Sequence, residues 1–110
     1  MFIIMIRRYV RPDRENEFLA AYRADKSSHP DFRGETLTRL SDDDAIPSAM
    51  ATLFTPVPDA VTYVNIARWA NWQSFVGQCE MPPDSFNREI EMAPRQRAVL
   101  EIIEEVAPTA

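Results

Sequence analysis

The stretch "TYVNIARWANW", residues 62–72, reads as a strand for eight residues and then turns helical. Side chains alternate across a strand, so Tyr63, Asn65, Ala67 and Trp69 point one way and Val64, Ile66 and Arg68 the other. Asn71 then has the character of a helix cap. Trp72, Phe75, Val76 and Cys79 follow at i, i+3, i+4 and i+7, one apolar stripe on the helix it opens. Asn65 is the anomaly, an amide among aromatics. Burying an unpaired amide costs about 1–3 kcal/mol, so Asn65 needs a partner that this segment does not supply, from protein, water or ligand.

On the N-terminal side, "FIIMIRRYV" (2–10) is a dense β-branched and aromatic run ended by Pro12. In "PDRENEFLAAYRADKSS" the period changes, with Phe18, Leu19 and Tyr22 at helical spacing between charged neighbours. "HPDFRG" marks a turn, and "ETLTRL" (35–40) resumes β-type residues. Residues 41–60 contain Pro47, Pro56 and Pro58 and form a long connection rather than one regular element. After the 62–69 strand and its helix, "MPPDSFNREIEMAP" predicts a second short helix, opened by Pro82 to Ser85 and closed by Pro94. "AVLEIIEEV" (98–106) is the expected last strand.

The order β-α-β-β-α-(α)-β predicts an α+β domain over residues 1–110, with a ferredoxin-like four-stranded antiparallel sheet and helices on one face. The first strand is apolar at both parities, Phe2, Ile4 and Ile6 against Ile3 and Met5. The last offers Leu100 and Ile102 against Val99 and Ile103. Strands apolar on both faces imply burial on both, and a second subunit is the simplest cover for the face without helices. A homodimer is therefore expected. Arg7 and Arg8 are expected beside Glu101, Glu104 and Glu105 as surface cross-strand pairs.

Twelve Lys and Arg against seventeen Asp and Glu give a formal charge of −5, with no basic patch interleaved with aromatics, so nucleic acid is not an expected partner. No run has the length and character of a membrane span. "MFIIMIRRYV" places its apolar run before its arginines, the reverse of a secretory signal. The single Cys79 allows no internal disulfide, and one histidine with one cysteine does not build the usual zinc sites, a composition compatible with the cytoplasm.

With Asn65 and Trp69 on a strand that runs straight into a helix, the chain resembles the antibiotic biosynthesis monooxygenase family of dimeric α+β barrel proteins. "FIIMIRRYVRPDRENEFLAAYR" is similar to that family's opening strand, proline turn and first helix. "HPDFRGETLTRL" is similar to its turn and second strand, and "YVNIARWANWQSF" to its third strand and the helix after it. The resemblance implies a homodimeric barrel with a pocket between sheet and helices. It also implies oxidation of an aromatic, hydroquinone-like small molecule by O2 without metal or flavin cofactor, and a pocket lined by Asn65 and Trp69 as the catalytic pair. Two departures stand out. The aromatic six residues after the Trp, which can be a tyrosine in the family, is Phe75 here, and the short hairpin loop between the second and third strands is replaced by residues 41–60.

Each candidate also has a plainer reading. Asn65 satisfies a backbone group at a strand edge or bulge, or faces a ligand. Trp69 is core, or its indole N–H joins Asn65 in holding an oxygen-bearing ring. Tyr22, Trp72 and Phe75 are core residues or substrate-binding ones. His29, before Pro30, is a loop residue at a helix end or the catalytic base. Residues 41–60 are a surface excursion packed on its own core, a lid over the pocket, or an arm across a dimer. A non-catalytic small-molecule-binding barrel is the alternative function. A haem-degrading relative is a further one, weakened because the iron-ligating histidine of such relatives lies toward the second half of the chain, whereas the sole imidazole here is His29.

Overall fold

A computed structural model describes residues 1–24, 28–51, 53–55, 57–78 and 86–109. Six elements follow in the order β1 (Phe2–Val10), α1 (Glu15–Ala24), β2 (Phe32–Arg39), β3 (Val61–Trp69), α2 (Trp72–Gln78) and β4 (Glu91–Glu101). Short 3-10 turns occupy Pro12–Arg14 and Ser48–Met50. The strands form one antiparallel sheet in the order β2-β3-β1-β4, an α+β arrangement consistent with a ferredoxin-like fold. No helix among the described residues is long and apolar enough to cross a membrane.

The parity of β1 and β3 divides the sheet into two faces. Ile4 lies opposite Ala67, Ile6 opposite Asn65 and Val10 opposite Val61, and these residues look toward the helices. Ile4, Ile6, Ala67 and Trp69 make one buried cluster, closed by Phe32 of β2 and Phe75 of α2. Val10, Phe18 and Tyr63 make a second beneath α1, with Leu37 and Ile90 against it. On the far face Met5 pairs with Ile66 and Ile3 with Leu100. Met5, Ile66 and Ile3 are half-buried there and Leu100 is 42% exposed, so apolar side chains remain on that face as the two-sided apolar character of β1 implied.

The C-terminal third departs from the expected pattern. Residues 81–85, where a second short helix was to open, lie outside the described residues, and Glu91 to Pro94 belong to β4 rather than to a helix. β4 is an edge strand and its pairing with β1 shifts register between Arg7 and Val10, so Pro94 sits where an edge strand with bulges tolerates a missing N–H. The Arg11 N–H, bonded to the Ile90 carbonyl at 2.8 Å, extends the contact past the end of the ladder. At its other end β4 stops at Glu101, short of the expected residue 106. One further bond continues the ladder, the Ile102 N–H reaching the Met1 carbonyl at 3.1 Å. The same antiparallel register overturns the expected pairing of Arg7 and Arg8 with the C-terminal glutamates. Glu101 faces Phe2, at the opposite end of β1, and Glu105 pairs with Arg68 instead, at 2.8 Å.

Gly34, expected in a turn, lies inside β2 at φ 106°, a conformation that favours glycine. Pairing with β3 passes from Phe32 opposite Trp69 to Glu35 opposite Ala67, so Arg33 and Gly34 together face Arg68 in a bulge. The bulge lets Phe32 and Glu35, three residues apart, point to the same helix side. Residues 41–60 reach the other side at Phe54, whose ring lies 4.4 Å beneath the Arg7 guanidinium. At that point the segment covers the sheet face away from the helices and is no lid over the helix side.

Candidate functional site

Asn65 is 2% exposed at the centre of β3. Its Nδ2 donates to Glu35 Oε1 at 3.3 Å, and its Oδ1 is buried with no hydrogen-bond partner among the described residues. Glu35 receives a second and shorter bond from the Tyr22 hydroxyl, 2.7 Å to Oε2. A continuous polar chain therefore runs from α1 through the bulged strand to the middle of the sheet. Burial and, after it, the Glu35 carboxylate raise the pKa of Tyr22 above the usual phenol value, which keeps the hydroxyl protonated and donating.

Tyr22 also lines a cavity of about 170 Å³ between α1 and the β1–β4 edge of the sheet. Phe18 and Ala21 share its helical wall, and Arg8, Glu91 and Arg95 supply its charges. Asn87 and Ile90, from the loop before β4, complete it. Glu91 is 2% exposed and holds Arg95 with two bonds, Nε to Oε1 at 2.9 Å and Nη2 to Oε2 at 2.8 Å. The Asn87 N–H adds a weak contact to Oε2 at 3.4 Å. Arg8 has no such partner: its guanidinium lies over the Phe18 ring at 5.5 Å, and its Nε is buried without a hydrogen bond among the described residues. Burial lowers the Arg8 pKa, Arg95 lowers it further, and Glu91 and Glu35 oppose them.

The expected site residues are only partly brought together. Asn65 and Trp69 share the helix-facing side of β3, yet neither lines this cavity. Trp69 is buried among rings, 5.4 Å from Phe32, 5.7 Å from Phe75 and 5.8 Å from His29. Phe75 packs on that cluster, while Trp72, 37% exposed, stands at the outer start of α2, where Asn71 Oδ1 caps the Gln73 N–H at 2.9 Å. His29 Nδ1 accepts the Asp31 N–H at 3.0 Å, so that lone pair is already engaged. Cys79 lies outside the described residues. Among the described residues no three His, Cys, Asp or Glu side chains gather as a metal site would need.

Arg8, Glu35, Glu91 and Arg95 were not among the expected site residues. A signal existed for Arg8 alone: it shares parity with Ile4, Ile6 and Val10, an arginine in a row of core positions. Glu35 was hidden by the bulge and Glu91 by the expectation of a helix. Fold and site together define an α+β protein with a small, charged cavity beneath its first helix. No protein-family model matches the chain, and no curated protein matches it.

Proposed function

We propose that the protein is a cofactor-independent monooxygenase acting on an aromatic, enolisable small molecule bound beneath α1, and that it works as a homodimeric α+β barrel. One observation carries the reading: a cavity-lining phenol, Tyr22, is joined through Glu35 to a buried amide, Asn65, whose oxygen lacks a partner among the described residues. Such a chain suits proton removal. The substrate hydroxyl gives its proton to the Tyr22 oxygen as Tyr22 passes its own to Glu35, and Asn65 holds the carboxylate in place. The resulting anion supplies every electron. O2 forms a bond to the activated carbon, the O–O bond breaks, one oxygen atom stays in the quinone product and the other leaves in water. Trp69, packed on three rings, keeps β3 and the start of α2 rigid behind the chain.

Dimerisation would cover Ile3, Met5, Ile66 and Leu100 on the far face, a patch that a monomer leaves partly exposed. Sedimentation equilibrium should give twice the chain mass of 12.6 kDa, and a single-chain mass at micromolar concentration would remove the barrel from the proposal. Oxygen uptake in air against a panel of hydroquinones and anthrone-type compounds tests the chemistry. Turnover should survive exhaustive chelation, need no added flavin, and fall in Tyr22→Phe and Asn65→Ala. Ligand binding without oxygen uptake by the native protein would instead favour the non-catalytic binding barrel.

A further inference from the structure

Among the described residues the cavity's charges do not balance. Arg8 and Arg95 bring two cations and Glu91 one anion, and both Glu91 oxygens are committed to Arg95. Glu35, the next carboxylate, is held by Tyr22 and Asn65 and forms no ion pair with Arg8. Among the described residues Arg8 thus forms no ion pair, and its buried Nε–H is unused. Buried polar groups are paired as a rule, and a charged donor is the costliest to leave unmade. The surroundings fix what is missing. The Phe18 ring beneath the guanidinium orients it, and Phe18 and Tyr22, 6.4 Å apart and inclined at 29°, form an aromatic wall beside it. A single water occupies about 30 Å³, and an apolar cavity of about 150 Å³ takes a benzene ring. At about 170 Å³ this space suits one substituted ring.

We infer that the cavity selects a monoanionic aromatic molecule, its carboxylate or phenolate against Arg8 and its ring against Phe18 and Tyr22. Glu91 serves this selection indirectly: it neutralises Arg95 and leaves a net charge of one for the ligand to match. The inference rests on the reading of this cavity as the small-molecule site and adds the charge of its occupant. Arg8 is the residue that determines specificity, because Arg7, its neighbour in sequence, faces the other side of the sheet.

Benzoate and its neutral isostere benzamide are suitable probes, titrated calorimetrically into the full chain with the Arg8 Nε–H resonance followed by NMR. Benzoate should bind about tenfold or more tightly than benzamide, the scale of one charge-assisted hydrogen bond, and should move the Arg8 resonance. Arg8→Gln should erase the preference, Arg8→Lys should retain part of it, and Arg7→Gln should leave it intact. Equal binding of the two probes by the native protein would overturn the anionic assignment while sparing the small-molecule reading. Binding of neither would overturn both. Should Arg8→Gln fail to fold, the native comparison and the Arg8 resonance decide the matter alone.

Discussion

Replacing Asn65 by valine should stabilise the protein while damaging its function. The buried, unpartnered Oδ1 carries a desolvation penalty of about 1–3 kcal/mol, which valine removes. The bond lost is a long one, 3.3 Å to Glu35, a side chain exposed enough to be resolvated, so its loss costs about 0.5 kcal/mol. Valine also suits the centre of a strand better than asparagine, by up to about 1 kcal/mol. The balance is a gain of about 1–2 kcal/mol, or a melting temperature higher by about 4–10 °C in a domain of this size. Circular dichroism melts and denaturant titrations of the two proteins measure it, with oxygen uptake followed in parallel. A valine variant less stable than the native protein by about 1 kcal/mol or more would show that Oδ1 is satisfied in the fold. The amide would then be part of what holds the fold together and not a cost to it.

The Glu91–Arg95 pair should behave as a coupled unit. Glu91→Leu or Arg95→Met alone should cost about 2–4 kcal/mol by leaving a buried charge unmatched, while the two together should cost less than the sum. Strict additivity in denaturant unfolding would refute the coupling. Burial, followed by the Glu35 and Glu15 carboxylates respectively, raises the pKa values of Tyr22 and Tyr63 above 10.0. The folded state therefore keeps protons that the unfolded chain releases, so this contribution is intact below pH 10 and is lost as pH rises further. Unfolding free energy should fall above that pH, and less steeply in Tyr22→Phe and Tyr63→Phe. At Gly34 an added Cβ meets nothing within 4 Å, so Gly34→Ala should cost about 1–3 kcal/mol through its φ of 106° alone, readable as a lower melting temperature.

What the sequence showed and what it concealed differ by mechanism. β1, α1 and β3 were legible because the strands are dense in β-branched and aromatic residues and the helix carries Phe18, Leu19 and Tyr22 at helical spacing. The start of β4 was not, since polar residues and Pro94 imitate a helix end, and only the waiting edge of β1 makes them a strand. The pairing of Arg7 and Arg8 was misplaced because composition says nothing about which end of one strand meets which end of the next. Asn65 and Tyr22 were legible as candidates, one by its incongruity and one by its helix. The charged half of the cavity depends on contacts between β1 and β4 that lie more than eighty residues apart.

The bulge at Gly34 has a meaning for chain length as well as for geometry. Two residues, Arg33 and Gly34, stand where the facing strand spends one, so β2 carries a residue more than its side-chain directions require. Loss of position 34 would bring Arg33 opposite Arg68 with Phe32 and Glu35 still on the helix side, whereas loss of a residue between Glu35 and Asn65's partner Leu37 would turn Glu35 or Leu37 to the opposite face. The strand therefore has one silent place for a gap, beside places where a gap of the same size rewrites the site. In a chain related to this one, a missing residue between Phe32 and Glu35 would leave the hydrogen-bonded chain from Tyr22 through Glu35 to Asn65 whole. The glycine is easier to delete than to replace.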